Sequence, residues 1–122
     1  MGSESVSKKI DQFWISKGVN PVKTDGGYYM MVMQTWKLYI YPEDLGATFM
    51  VIPTSKKYFI NRNLDIGTEL GAMIVDANPN RSNPALLFGV KENALNNNYI
   101  DKVISCMVNI VENQFDKFQS HQ

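Results

Sequence analysis

The sequence predicts an α+β fold, in which an antiparallel sheet packs with N-terminal, middle and long C-terminal helices in the order α-βββ-α-β(β)-α. Three apolar, β-prone segments separated by short turns lie within residues 28–52. Segments with apolar residues at helical spacing precede and follow them. The length of 122 residues corresponds to a single domain over residues 1–122.

The first helix is predicted over residues 4–18. Apolar residues recur there at helical spacing, namely Val6, Ile10, Phe13 and Trp14. Gly18 can end the helix, because glycine readily adopts the left-handed conformation found at many helix C-termini. The segment therefore predicts an amphipathic helix with one apolar side.

Three antiparallel strands are predicted next, over residues 28–33, 36–41 and 47–52. A two-residue turn at Gln34-Thr35 places Met33 opposite Trp36, and this register decides which side chains share a face. One face then carries Tyr29, Met31, Met33, Trp36, Leu38, Ile40, Phe49 and Val51. The other carries Tyr28, Met30, Val32, Lys37, Tyr39, Tyr41, Thr48, Met50 and Ile52. Neither turn residue favours positive φ, so a longer loop that shifts the register by one and exchanges the faces is an alternative.

The region between the third strand and the last helix is more mixed. Residues 58–60 predict either a short strand or an extended lead-in. Residues 63–77 show a helical pattern, although Gly67 and Gly71 each weaken a helix by about 1 kcal/mol relative to alanine. An Asn- and Pro-rich loop follows at 78–84, and an apolar segment at 85–90 predicts a buried strand.

The last helix is predicted over residues 98–119. Its apolar residues form one stripe, consisting of Ile100, Val103, Ile104, Met107, Val108, Val111, Phe115 and Phe118. Polar residues occupy the opposite side, including Asn109. We expect this helix to be the main structural anchor of the domain, because eight buried side chains contribute roughly 12–20 kcal/mol before entropy is subtracted.

Composition disfavours several classes of function, although base stacking on Tyr39 and Tyr41 is an alternative. Lys plus Arg and Asp plus Glu both number 12, so the formal net charge is zero and gives no signature of nucleic-acid or anionic-membrane binding. The chain lacks the apolar run of about 18 residues that a transmembrane helix needs. The single cysteine cannot form an intramolecular disulfide, and the polar N-terminal segment has no signal-peptide core. We therefore expect a cytoplasmic protein that binds neither nucleic acid nor membrane.

Residue types that support common enzyme mechanisms are sparse. The sole histidine, His121, lies next to the C-terminus, and Cys106 lies among apolar neighbours in the last helix, where a buried, unreactive thiol is expected. No glycine-rich phosphate loop follows a strand. We therefore expect no catalytic residues, no metal site and no cofactor. An enzyme that gathers carboxylates across space, for example Asp25, Asp65 and Asp76, is an alternative.

The sharpest functional signal is an aromatic and methionine face on the predicted meander. Its candidate partner-binding residues are Tyr28, Met30, Tyr39, Tyr41 and Met50. Tyrosine offers a large contact area at low entropic cost, and methionine adapts to varied surfaces, so the combination favours a protein partner. The alternative is that a helix of the same chain covers this face.

The predicted order of elements resembles that of the type III secretion chaperones and their chaperone-like relatives. The resemblance lies in the helix at residues 6–14, the meander at 28–52, the segment 64–83 and the segment 85–118. It implies a non-enzymatic protein binder that forms homodimers and holds an extended segment of its partner. An adaptor, an immunity or inhibitor protein that neutralises a cognate toxin, and the small enzyme described above are the alternatives.

Overall fold

The computed structural model describes residues 2–25 and 27–120, with the backbone alone for residues 2–3 and 27–31. Its helices are α1 (Gly2–Lys17) and α2 (Asn97–Asn113), and short 3-10 helices lie at Glu92–Ala94 and Phe115–Phe118. Its strands are β1 (Val22–Thr24), β2 (Gly27–Val32), β3 (Trp36–Pro42), β4 (Gly46–Pro53), β5 (Leu64–Thr68), β6 (Gly71–Asp76) and β7 (Ala85–Lys91). The predicted α+β class is confirmed.

The seven strands form one antiparallel sheet in the order β1-β2-β3-β4-β7-β6-β5. The two helices contact each other and pack over β3 and β4 on one side of this sheet. Strand residues on that side are buried in the same core as the helix residues, among them Leu38, Phe49 and Leu86. We call the opposite side of the sheet the open face.

Both terminal helices are where the sequence predicts them. In α1, the side chains of Val6, Ile10, Phe13 and Trp14 are all buried, and Gly18 follows the helix with a φ of 68°. In α2, the predicted stripe faces the core, with Ile100, Val103, Met107, Val111 and Phe115 buried and Ile104, Val108 and Phe118 half-buried. The predicted helix 98–119 is divided, because α2 ends at Asn113 and a 3-10 turn carries Phe115 and Phe118.

The predicted middle helix over 63–77 is wrong. This stretch forms the hairpin of β5 and β6, in which burial alternates along the chain: Met73 and Val75 are buried while Ile74 between them is exposed. Gly71 has a φ of 129°, which a helix does not allow but which a glycine adopts easily in the hairpin turn. Gly67 and Gly71, which weaken the helical pattern, are the residues in the sequence that indicate a structure other than a helix here.

The register of β3 and β4 agrees with the prediction, but that of β2 agrees only in part. Met33 donates its backbone N–H to the carbonyl of Trp36 at 2.8 Å, as the two-residue turn requires. An irregularity between Tyr29 and Val32 then shifts the pairing by one residue. Tyr28 consequently pairs with Ile40, and Tyr29 pairs with Tyr39, whereas the predicted register pairs Tyr29 with Ile40.

The segment between β4 and β5 is a lead-in, not a strand, at residues 58–60. Asn83, with 9% of its surface exposed, anchors this segment. Its Oδ1 accepts the backbone N–H of Tyr58 at 2.8 Å, and its Nδ2 donates to the carbonyls of Pro53 and Lys56 at 2.9 Å each. One buried amide thus holds the loop 78–84 against the end of β4.

Candidate functional site

The open face presents the tyrosines of β3 because side chains alternate along a strand. Leu38 and Ile40 are buried against the helices, whereas Lys37, Tyr39 and Tyr41 are half-buried on the other side. Neither α1 nor α2 packs on this side, so within the described chain the alternative of a covering helix does not hold. Tyr39 and Tyr41 therefore lie on the face that the sequence predicts for them.

An apolar row crosses the open face at right angles to the strands. Strand pairing places Tyr39 beside Met50, Met50 beside Leu87, and Leu87 beside Ile74. The first three side chains are half-buried, and Ile74 is 43% exposed. Four neighbouring strands thus contribute one side chain each to a continuous apolar surface that water still contacts.

The two tyrosines of β3 are held side by side. Their ring centroids are 6.0 Å apart and the ring planes differ by 12°, so the rings are nearly parallel. The ammonium nitrogen of Lys37 lies 5.6 Å from the centroid of the Tyr39 ring, within the range of a cation–π interaction. These contacts restrict the conformations of both rings within the chain.

Burial raises the pKa of the Tyr41 phenol, and the neighbouring Tyr39 raises it further, while the positive charge of Arg81 acts in the opposite direction. The net shift is upward from the ordinary value of 10.0. The phenol therefore stays protonated throughout the physiological pH range and can both donate and accept a hydrogen bond.

Arg81 closes one side of the tyrosine pair. Its guanidinium forms an ion pair with the Asp76 carboxylate at the end of β6, and Nη1 also donates to the carbonyls of Asp76 at 3.3 Å and Asn83 at 3.4 Å. A cavity of about 250 Å³ lies between this loop and the sheet. It is lined by Lys37, Tyr39, Tyr41, Met50, Ile52, Arg81, Ser82 and Asn83.

Of the five predicted site residues, the structure brings Tyr39, Tyr41 and Met50 together around one cavity. The side chains of Tyr28 and Met30 lie outside the described residues. Backbone pairing places Tyr28 opposite Ile40, one residue away from Tyr41, which the predicted register sets opposite it. The cause is the bulge in β2, which inserts one residue into the pairing.

Four contributors to the open face were missed by the sequence analysis, namely Ile74, Leu87, Arg81 and Asn83. The sequence pattern places Ile74 in a helix, and it places Leu87 in a strand without identifying the strands that pair with it. The loop residues gave no specific signal beyond their Asn- and Pro-rich composition. Their positions depend on pairing between β6 and β7, which joins segments that a long loop separates.

The single thiol of the chain lies away from the open face. Cys106 is half-buried in α2 on the helix side, and burial raises the pKa of its thiol, although a hydrogen bond with Thr68 acts in the opposite direction. The sequence predicts a buried thiol, and the structure shows one that is only partly buried. Within residues 2–25 and 27–120, the structure shows no group of three or more His, Cys, Asp or Glu side chains placed to hold a metal ion. His121 lies outside the described residues.

Neither helix of the described chain has the length and apolar character that a membrane-spanning segment needs. Comparisons of the chain with family models, with curated proteins and with solved structures gave no match.

Proposed function

We propose that the chain is a non-enzymatic, cytosolic protein-binding module that holds its partner on the open face. The observation that carries the proposal is the apolar row of Tyr39, Met50, Leu87 and Ile74, which four paired strands present on the side of the sheet opposite the helices. A continuous apolar surface of this kind on a soluble domain is typical of an interaction site.

The composition of the face favours a protein as the partner. Tyrosine and arginine are enriched among the residues that contribute most to interfaces, and methionine adapts to the shape of the opposing surface. The cavity beside Tyr39 and Tyr41 is large enough to receive one partner side chain, and Arg81 at its wall can hydrogen-bond to that side chain or its backbone. Such a pocket is the usual location of a central anchor in an interface.

The resemblance to type III secretion chaperones supports the same class of function. The hairpin over residues 64–76 departs from the element order on which that resemblance was based, because a second helix was expected there. We therefore propose the binding role from the open face itself and treat the chaperone role as one form of it.

The double variant Tyr39→Ala/Tyr41→Ala tests the proposal. We expect it to weaken capture of the native partner by at least about 30-fold, because truncating a central interface aromatic commonly costs about 2 kcal/mol or more. The double variant should stay cooperatively folded with a loss of about 1 kcal/mol per ring, since neither ring belongs to the helix-side core. Pull-down from the native host with tandem mass spectrometry identifies the partner, and titration calorimetry with that purified partner measures the affinity.

Ile15→Ala is the matched control, because Ile15 is an apolar residue of α1 with 76% of its surface exposed, and α1 packs on the opposite side of the sheet. Equal binding by the wild type, the control and the double variant would refute the open face as the partner site. A partner that proves to be one toxic enzyme, inhibited at a one-to-one ratio, would identify the immunity or inhibitor form of the module. Several secreted partners would identify the chaperone form.

A further inference from the structure

The two edges of the sheet differ in how they are protected. The β1 edge is three residues long and carries Lys23, and short or lysine-bearing edge strands resist pairing with other chains. The β5 edge is five residues long, pairs with β6 in an unbroken register, and contains neither Lys nor Pro. Its outer backbone groups have no partner strand among the described residues.

A cavity with unpaired positive charges lies beside the β5 edge. It has a volume of about 660 Å³, with Ile60, Leu64 and Phe118 as its apolar lining and Arg62 and Lys117 among its polar residues. Both cationic side chains are exposed, and neither forms an ion pair with any described residue. Among the residues that the structure describes, no carboxylate lines the cavity, so an acidic group would complement it.

The acidic group that fits is on the chain itself. Glu69 lies in the turn between β5 and β6, is exposed, and has no ion-pair partner among the described residues. It is at the opposite end of β5 from Arg62. When two identical strands pair antiparallel, the end of one lies beside the beginning of the other, so the acidic end of each copy meets the basic end of its neighbour.

We propose that two copies of the chain associate through their β5 edges and form a continuous fourteen-stranded sheet about a two-fold axis at Ile66. In this register Leu64 lies opposite Thr68 of the second copy, and Asp65 lies opposite Gly67. Residues 63 and 69 lie just beyond the two ends of β5, so this register brings the turn that carries Glu69 to the end of the partner strand where Arg62 and the cavity containing Lys117 lie. The proposal concerns an edge of the sheet and does not depend on the function proposed for the open face.

Charge selects this register from its neighbours. In a continuous sheet, residues that face each other across a strand pair point to the same side. The two-fold axis must therefore pass through a residue position and cannot lie between two residues. Centring the axis on Asp65 places two Asp65 carboxylates opposite each other. Centring it on Gly67 places Asp65 opposite Glu69. Like charges directly across a strand pair are destabilising, whereas the Ile66-centred register has none.

Sedimentation velocity of the intact chain measures the association. Concentrations from about 1 to 200 µM suit the weak affinity expected of an interface built on one edge strand. We expect the mass to rise from monomer to dimer with concentration. Arg62→Glu and Glu69→Arg should each raise the dimer dissociation constant by about tenfold, because the two-fold axis repeats each change at both ends of the interface. The double variant Arg62→Glu/Glu69→Arg should restore the wild-type constant.

Lys8→Glu is the matched control, since it makes the same charge change at an exposed position on α1. Circular dichroism melts verify that each variant is folded. A wild type that stays monomeric at every concentration would overturn the proposal. Binding of a labelled acidic peptide to such a monomer through Arg62 would show that the cavity takes an acidic ligand and that the chain does not dimerise there. A dimer that the single changes do not weaken, or that the double change does not restore, would overturn it equally.

Discussion

The two faces of the sheet differ in what their side chains contact, although both carry large apolar residues. On the helix side, Leu38, Ile40 and Phe49 are completely buried by α1 and α2. On the open face, Tyr39, Met50 and Leu87 lie in the same strands but are only half-buried. The comparison indicates that the helix side supplies most of the stability, while the described chain leaves the apolar side chains of the open face only partly buried.

The largest effect should come from a charge placed in the helix-side core. Met107 is fully buried in the core between α2 and the sheet, so Met107→Asp would bury an unpaired carboxylate there. We expect loss of cooperative folding, because a penalty of about 5 kcal/mol approaches the total stability of a small domain. Thermal unfolding followed by circular dichroism measures this.

Asn109→Asp provides the control for that change on the same helix. Asn109 is exposed and its Oδ1 accepts a hydrogen bond from Asn113, so a carboxylate there keeps an acceptor in place. The melting temperature of the Asn109→Asp variant should remain within a few degrees of that of the wild type. A folded Met107→Asp protein with a cooperative transition would show that α2 is not the main anchor of the core.

The second test compares neighbours on one strand. Leu38→Ala should lower the free energy of unfolding by about 3 kcal/mol, because it removes a fully buried side chain from a packed core. Tyr39→Ala, one residue further along β3, should lower it by about 1 kcal/mol, because the ring is half-buried and packs on Tyr41. Urea denaturation gives both values. Equal losses would mean that the open face contributes to the core and is not reserved for binding.

A smaller effect than that of Leu38→Ala should come from the loop that borders the open face. Asn83→Ala removes one acceptor and two donor hydrogen bonds that tie this loop to residues 53–58, and we expect a loss of about 2 kcal/mol. Asn80→Ala, at an exposed position three residues earlier, should cost almost nothing. Urea denaturation compares them. An Asn83→Ala protein as stable as Asn80→Ala would show that the loop is positioned by Arg81 and Asp76 alone.

Local patterns in the sequence were sufficient for three parts of this protein. The stripe of Val6, Ile10, Phe13 and Trp14, the longer stripe of α2, and the strict alternation along β3 each depend on residues within one element. Side-chain periodicity is a property of the local backbone, so it can be recognised before the tertiary arrangement is known. The α+β class and the placement of Tyr39 and Tyr41 on one face follow from these elements.

Tertiary structure decided the remaining features. In residues 64–76, weak helical spacing competed with alternation, and pairing of β6 with β7 favoured the hairpin. The bulge in β2, the anchoring of loop 78–84 by Asn83 and the row from Tyr39 to Ile74 all require segments distant in sequence to meet. Backbone pairing and burial between such segments provide free energy that no local pattern encodes. For that reason the sequence predicted that Tyr39 and Tyr41 share one face of the sheet, but only the assembled sheet determined which side chains surround them.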